Sequence, residues 1–443
     1  MGVIVGKLDY GKQALVNTDS KDLYDVVVLG AGIAGMGAAW KAREFGLKFA
    51  VFEAIDRAGG VLQSQIIGDH LLDYGANSCA ASPTYLAFVD HLGLSDRFVQ
   101  ATAASKNRFL WQATGIRAVG GLKDVLFADW LSVKGKRQLF TEPFTSRGSG
   151  EDESVSAFLS RRIGLEATEK LVDPVMGGIY AGNINRLSAS VVLEKMKQGE
   201  QRYGSLLKTM FKDPPKPRKI SNFKGGMSEL GAAFEKEYAD ELKLNTPVQR
   251  LIKKERHGDG PIWEIHFGQG ETILTKQIVS AMPSYALAEV VQDQKVRELL
   301  KALPYAPLRV DYFQVDEGQL PVAGFGILVP TSLGKVIRGV LMGSVAFEGR
   351  APKGVHTLTV FSNATRLEEV QQELEELLGT CELECLATKN WSQAIPQFEL
   401  GYLQWKKQLE EVLPEGLKLA GNYLGKVGVA DVLSSGYDLN LRP

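Results

Sequence analysis

Three glycines in the run Gly30-Ala31-Gly32-Ile33-Ala34-Gly35 follow an apolar stretch, Val26 to Leu29, and a second apolar stretch ends at Glu53-Ala54. These residue types at this spacing are suited to holding a dinucleotide. Gly30 lets the chain turn off a strand, Gly32 lets backbone approach a pyrophosphate, and Gly35 lets the next helix lie close on the sheet. That helix begins around Ile33 and Ala34, and its unpaired N–H groups and partial positive charge suit phosphate. A carboxylate at Glu53 accepts hydrogen bonds from ribose hydroxyls. A glycine pattern alone could be a turn without a ligand. Here the preceding strand, the small-residue helix (Gly35, Gly37, Ala38, Ala39) and the acid all agree.

Other chemistry is thinly supplied. The histidines (His70, His91, His257, His266, His356) are scattered without metal-ligand spacing, so no metal is expected. The cysteines, Cys79, Cys381 and Cys385, are odd in number, and the x3 spacing of the last two fits neither a redox nor a zinc motif. They read as incidental thiols near a helix end in a reducing compartment. The chain has 443 residues, 44% of them hydrophobic, a formal net charge of −1 and a sequence pI of about 6.6. This is ordinary globular material of two or three domains, with no bulk attraction to nucleic acid. No apolar run approaches the roughly 18 to 20 residues of a membrane-spanning helix. Residues 1–21 are too polar for a secretory signal and lack a transit-peptide composition, so they read as a short arm, and a cytoplasmic location is the default.

The elements that must position the cradle follow from periodicity and punctuation. A helix is expected from Pro83 to Gly93, and a strand pair at Arg108–Trp111 and Arg117–Val119 around Thr114-Gly115. A helix runs from Ser154 as N-cap to Gly164, with Val155, Phe158, Leu159 and Ile163 on one face. Asp173 to Gly182 reads as a glycine-dense turn. Residues 208–224, with Pro214, Pro215 and Pro217 among lysines and arginines, read as a solvated linker in preference to an anionic-lipid contact. From Phe223 the chain returns to the first unit, with strands at 242–248, 263–267, 272–274 and 278–280. A second mixed unit follows, with strands at 325–330, 336–344 and 357–361 and a helix at 368–378 whose Val370, Leu374, Leu377 and Leu378 form a core stripe. Near the end, a strand leads to Gly421-Asn422-Tyr423, and Val427-Gly428-Val429 opens a last helix. Its N-terminus presents N–H groups that suit a negative charge.

Arg57-Ala58-Gly59-Gly60, four residues past Glu53, resembles the second phosphate-binding turn of the FAD-containing amine oxidase superfamily, which points to FAD rather than NAD. The landmarks together resemble the protoporphyrinogen oxidase family within it. The blocks that carry this are Gly75-Ala76-Asn77-Ser78, Asn107-Arg108-Phe109-Leu110-Trp111, the segment 153–188, Gly324-Phe325-Gly326-Ile327-Leu328-Val329-Pro330, the segment 343–352, Trp391 with 394–397, and Gly401-Tyr402. The resemblance implies an α/β fold with a discontinuous FAD-binding domain (24–95, 220–283, 405–443). It further implies a substrate domain (96–108, 284–404), a helical domain (109–219) and an N-terminal extension (1–23). The cofactor would lie on Gly30, Gly32, Ile33, Ala34, Gly35, Glu53, Ala54, Arg57, Gly59, Gly60, Gly75, Ala76, Asn77, Val248, Gly421, Asn422, Val427, Gly428 and Val429. The implied reaction is oxidation of a porphyrinogen by hydride transfer to the flavin, with oxygen or a quinone as acceptor. Arg108 would pair with a propionate, Asn77 would approach the reacting region, Leu328, Leu341 and Phe361 would clamp the macrocycle, and Gly178 would line the pocket. No matched position is an obvious general base. By composition alone, the same leucines and phenylalanine are core residues and the arginine a surface residue.

The chain departs from the family at two places. Ser362-Asn363-Ala364 replaces a Gly-Gly pair after Phe361, and Arg338 replaces an apolar residue before Gly339. Protoporphyrinogen IX is the expected substrate and coproporphyrinogen III the nearest rival, with Arg338 a candidate extra cation. An amine oxidase or desaturase is the second reading, although Tyr423 is the one candidate for an aromatic cage. A flavin protein without turnover is the third. A peripheral membrane contact through the helical part and a homodimer are further expectations of the resemblance.

Overall fold

The computed structural model describes residues 23–120, 128, 130–214, 218–255, 261–268, 270–379 and 383–442. The N-terminal arm, Pro215, Pro217, His257 and Cys381 lie outside the described residues.

The run Leu23–Leu29 forms a central strand because its Val26, Val27, Val28 and Leu29 are covered on both faces. It pairs in parallel with Phe49–Phe52 on one side and Thr272–Ser280 on the other. Leu242–Lys243, Ile262–Phe267 and Val248–Lys254 extend the sheet, and Leu417–Leu419 joins Thr272–Ser280 in parallel. Three distant stretches of chain therefore share one sheet. The first helix, Ile33–Glu44, packs on it and is crossed by the last helix, Val429–Tyr437. A Cβ at Gly37 would lie 2.2 Å from the Leu433 carbonyl oxygen, and one at Gly436 would lie 1.9 Å from that of Ala34. Only glycine permits this crossing.

The second sheet also has seven strands. Their spatial order is Glu384–Pro396, Tyr305–Asp316, Val355–Ser362, Ile337–Met342, Gly326–Leu328, Arg108–Gln112 and Gly115–Ala118. All neighbours are antiparallel except Gly326–Leu328 with Arg108–Gln112. Leu367–Leu378 covers one face through Val370, Leu374, Leu377 and Leu378. A layer of helices between Val133–Thr141 and Leu206–Lys212 lies beyond the other. Inside that layer Arg162 is 1% exposed and is bonded to Glu142, Glu200, and the carbonyl oxygens of Thr145 and Gly204. Burial pushes the Glu142 carboxyl up, and the bonds it accepts from Ser205, Leu206 and Arg162 outweigh that, holding it below the ordinary carboxylate value.

Several expectations are corrected. Asp173–Tyr180 is a helix rather than a glycine turn. Pro174 sits just past the wider π-helical turn Thr168–Val172, which runs into this helix without a break, and the turn is confined to Ala181 at φ 48°. Thr272–Ser280 is one strand, and the 242–248 stretch is interrupted between Lys243 and Val248. Lys208 to Lys212 belong to a helix, and Cys385 lies in a strand rather than near a helix end. Ser154 caps its helix by accepting from the Ala157 N–H at 3.1 Å, and Gly164 at φ 89° ends it, as the sequence suggested. Cys79 is buried and its thiol is pushed up to about 12 by that burial, so it stays protonated.

Asp73 ends the hairpin Ser64–Ile67/His70–Asp73 and ties it to the segment 222–227 and to Arg350 beside the second sheet. Its carboxylate accepts from Ser64 Oγ (2.5 Å), Asn222 Nδ2 (2.8 Å), the Met227 N–H (2.9 Å) and Arg350 Nη1 (2.7 Å). Both members of the Asp73–Arg350 pair are nearly inaccessible, with side chains 3% and 5% exposed. Removing one partner of a buried pair leaves the other charge uncompensated, at a cost of about 3–5 kcal/mol. Arg350→Met should therefore lower the unfolding midpoint sharply in thermal or denaturant melts, and more than the double variant Asp73→Asn/Arg350→Met. Equal melting of wild type and single variant would rule out this role for the pair.

Candidate functional site

The glycine turn has the geometry of a phosphate cradle. Gly30 adopts φ +96°, and a Cβ on Gly35 would sit 1.9 Å from the Gly30 carbonyl oxygen, so the first helix must start against the strand end. Gly32 differs: a Cβ there would meet nothing within 4 Å. The space beside it is open, and it caps a helix that has no side-chain cap and no acid in its first turn. Ile33, Ala34 and Gly35 thus present uncapped N–H groups to that space. Gly59 (φ +106°) and Gly60 (φ +57°) form a second turn stacked on the first, with Gly59 bridged to Gly32 and a Cβ on Gly60 3.2 Å from Gly32 Cα. Arg57 holds the turn through the Gly60 carbonyl oxygen at 2.9 Å.

Glu53 follows Phe49–Phe52 and is 9% exposed. Its carboxylate accepts from the Ala31 N–H at 2.8 Å and the Ile55 N–H at 3.2 Å. The acid that sequence assigns to a ribose also fixes the glycine turn. Ala54 lies between these two tethered residues. The Thr246 N–H donates to the Glu53 carbonyl oxygen at 2.8 Å, which brings the turn ahead of Val248 beside the acid. Gly30 through Glu53, Gly75 through Asn77 and Val427 through Val429 are compatible with one FAD molecule: an open anion cradle at one end, a helix N-terminus at the other. That second N-terminus is capped by Gly428 without a side chain. Gly421, at φ +146°, donates its N–H to Ser435 Oγ, which ties the Asn422 turn to the last helix.

A cavity of about 1570 Å³ adjoins this second end. Gly75, Ala76, Asn77, Val427 and Gly428 line it, and so do Arg108, Gly178, Leu328, Leu341 and Phe361. All six residues assigned to substrate by resemblance therefore face one space, together with the flavin-end residues. Gly30 to Gly35 and Glu53 are not part of its lining. Gly75 is required because a Cβ would lie 1.9 Å from the Val61 carbonyl oxygen. Asn77 Nδ2 donates to the Gly75 carbonyl oxygen at 3.0 Å, and the Asn77 carbonyl oxygen accepts from Asn222 at 2.7 Å. Asn77 thus shapes the wall as well as lining it.

Register explains the rest of the wall. Leu328 faces Gly339, which faces Phe361, and Gly326 sits between Arg108 and Leu341. The helix Asp173–Tyr180 forms the opposite wall. Asp173 accepts from the Thr331 N–H (2.9 Å) and Oγ1 (2.6 Å), which pins it to the sheet. A Cβ on Gly178 would come 2.9 Å from Leu328 Cδ2, so glycine sets the width of the slot. Arg108 is exposed at the start of its strand, 5.6 Å from the centroid of the Phe325 ring, and pairs with no carboxylate among the described residues. Tyr423 is 0% exposed and lines no part of the cavity, which removes the candidate for an amine cage.

Sequence reasoning missed Tyr180, Val191, Val192, Lys195, Arg218, Lys426 and Asp431, all of which line the cavity. Arg218 pairs with Asp431 at 3.0 Å, closing the linker onto the last helix. The apolar Val191-Val192-Leu193 run was the available signal.

The family model "Flavin containing amine oxidoreductase" matches residues 33–438. A mitochondrial protoporphyrinogen oxidase of Nicotiana tabacum is 30% identical, covering 93% of each chain. The protoporphyrinogen oxidase of Homo sapiens is 27% identical over 93% of this chain and 96% of its own. A crystal structure described as "Putative protoporphyrinogen oxidase from Exiguobacterium sp. 255-15" superposes with a TM-score of 0.78 at 21% identity, covering 95% and 98%. A putrescine oxidase structure reaches 0.69 at 15% identity, covering 94% and 98%.

The geometry separates two glycines by experiment. Gly35→Ala should destabilise the fold, because its Cβ overlaps backbone. Gly32→Ala should keep its melting temperature without flavin yet purify with a clearly lower 450/280 nm absorbance ratio. Full flavin retention by Gly32→Ala would place the pyrophosphate elsewhere.

Proposed function

The chain belongs to the flavin-containing amine oxidoreductases, and within them to the protoporphyrinogen oxidase family; from that premise we propose that this FAD-dependent oxidoreductase converts a porphyrinogen, protoporphyrinogen IX in the first instance, to the porphyrin. The observation that carries the reading is the single cavity joining the flavin-end residues to Arg108, Leu328, Leu341 and Phe361. Its volume exceeds the roughly 300–1,000 Å³ of ordinary small-molecule pockets, which suits a macrocycle beside a flavin ring better than a small amine. FAD supplies acceptance of a hydride from the substrate carbon at each two-electron step. The protein residues bind and orient. Arg108 holds a carboxylate at the open edge through charge-assisted bonds. Leu328, Leu341 and Phe361 cover one face of the ring and exclude water there. The helix Asp173–Tyr180 limits the other side, and the missing side chain at Gly178 leaves room for a flat body. Among the described residues no histidine or cysteine lines the cavity; of its carboxylates Asp173 and Asp431 are committed to Thr331 and Arg218, while Glu169 and Glu194 also line it. The pyrrole proton leaves to water, driven by aromatisation, with oxygen or a quinone taking up the electrons.

No described helix is long and apolar enough to cross a membrane. Phe140 (61% exposed), Phe144 (88%) and Phe211 (78%) stand out on packed neighbouring segments with Lys136, Arg137 and Lys212. This supports a peripheral contact with an anionic bilayer. Phe144→Ser/Phe211→Ser should reduce co-flotation with anionic liposomes at low salt. Flotation undiminished by that change, or absent in the wild type, would defeat the contact.

Purified holoenzyme mixed aerobically with protoporphyrinogen IX should generate porphyrin fluorescence well above a no-enzyme control. Arg108→Ala should raise KM by about 10- to 100-fold, from the loss of about 1.5–3 kcal/mol for a charged hydrogen bond, with flavin content unchanged. Unaltered kinetics would remove Arg108 from the site, and no turnover with oxygen or quinone would defeat the porphyrinogen reading.

A further inference from the structure

The cavity has a second cation whose placement is unusual. In Ile337–Met342, Ile337 faces Ser362 and Gly339 faces Phe361, so two steps on one strand oppose one step on the other. Arg338 is the extra residue of a β-bulge. A bulge re-aims side chains, and such irregularities concentrate beside binding sites. Without it, strict alternation would place Ile337 on the same face as Leu341. Instead Ile337 is 0% exposed in the core with Val340 and Met342, while Leu341 lines the cavity. The bulge absorbs one residue of register and puts Arg338 on the cavity wall. Its guanidinium is held at one corner only. Asn363 donates its amide N–H to the Val336 carbonyl oxygen at 2.9 Å and accepts from Arg338 Nη2 at 2.9 Å. Nη1 is buried and has no hydrogen-bond partner. An unbonded N–H on a buried cation is costly, while the remainder of the side chain lines the cavity.

We propose that Arg338, oriented by Asn363, is a specificity-determining residue that binds a second substrate carboxylate on the same sheet wall as Arg108, displaced diagonally from it. The inference rests on the porphyrinogen reading and deepens it. Arg108 shares a row with Gly326 and Leu341, whereas Arg338 lies three residues before Leu341. Because the bulge compresses this stretch, that offset is roughly 7–10 Å along the strand and two inter-strand spacings, about 9.5 Å, across it. Carboxylates on one edge of a macrocycle reach Arg108 alone. A macrocycle with a carboxylate on each pyrrole reaches both cations. A porphyrinogen with a carboxylate on each pyrrole, such as coproporphyrinogen III, therefore gains a contact at Arg338 that protoporphyrinogen IX does not make.

The test uses wild-type, Arg338→Leu and Arg338→Lys holoenzymes, with KM and kcat measured for coproporphyrinogen III and protoporphyrinogen IX. Dissociation constants for the two product porphyrins, by fluorescence, give a readout independent of turnover. Arg338→Leu should raise KM and Kd for the tetracarboxylate by about tenfold or more, the loss of one charge-assisted contact, and change those for the dicarboxylate less than twofold. The kcat values and flavin content should hold, and Arg338→Lys should recover part of the loss. Equal effects on both ligands, or none on the tetracarboxylate, would overturn the proposal while leaving the porphyrinogen reading intact. A wild type that neither oxidises nor binds either macrocycle would instead overturn that reading, and this inference with it.

Discussion

Everything the cavity offers depends on the loop 74–77 keeping a fixed relation to the second sheet, and one buried carboxylate sets it. Asp73 gathers donors from Ser64, Asn222, Met227 and Arg350, and its backbone carbonyl oxygen accepts from Tyr312 at 2.7 Å. These partners come from separate regions of the chain: the hairpin itself, the segment 222–227, the loop at Arg350 and the second sheet's Tyr312. Burying the charges carries a desolvation cost, which the completed set of bonds offsets. What the arrangement secures is position. The next residues after Asp73 are Tyr74 to Asn77, and Asn222, which donates to Asp73, also donates to the Asn77 carbonyl oxygen. The loop at the flavin end is therefore indexed directly to the junction. Arg350 adds the Phe223 carbonyl oxygen and, through its own carbonyl, the Leu71 N–H.

A second constraint is close approach. The first and last helices cross over Gly37 and Gly436, where any side chain would meet backbone. The helix whose N-terminus faces the phosphate cradle thereby carries the helix whose N-terminus faces the cavity. Two uncapped N-termini at the two ends of one elongated cofactor are held together by packing that tolerates no Cβ. Glu53 completes the frame by tying Ala31 to Ile55, so this buried acid stiffens the glycine turn.

What was legible in the sequence was what is local. Gly30 to Gly35 requires particular backbone at adjacent positions, and Ser154 and Gly164 delimit a helix by chemistry within one turn, so both could be read without tertiary knowledge. The cavity residues Leu328, Leu341 and Phe361 look like core by composition; only strand register turns them toward a common space. Asp173–Tyr180 shows the opposite failure. Two adjacent glycines argue for a turn, yet tertiary packing against Leu328 and the Asp173–Thr331 bonds stabilise a helix that uses them for clearance. The Asp73 junction left no trace, because its partners are far apart in the chain. Arg338 stood out as a departure from the family, but the bulge that aims it cannot be inferred from a strand pattern.

The distribution of charge around the cavity follows from the same division of labour. An enzyme that delegates electron transfer to a flavin has little use for a tuned acid or base, and the carboxylates Asp173 and Asp431 are spent on Thr331 and Arg218 instead. The positive groups are handled differently. Arg108 is left exposed without a carboxylate partner among the described residues, and Arg338 keeps an unbonded N–H inside the wall. Charges of both signs line the slot, Glu169 and Glu194 among them, and the two arginines stand on the sheet wall, where an anionic ligand completes their bonds. The slot's faces are apolar and its width is set by glycine, so the ligand must also be flat. Shape is thus selected by the missing Cβ atoms, and charge by the arginines whose hydrogen bonds the protein itself does not complete.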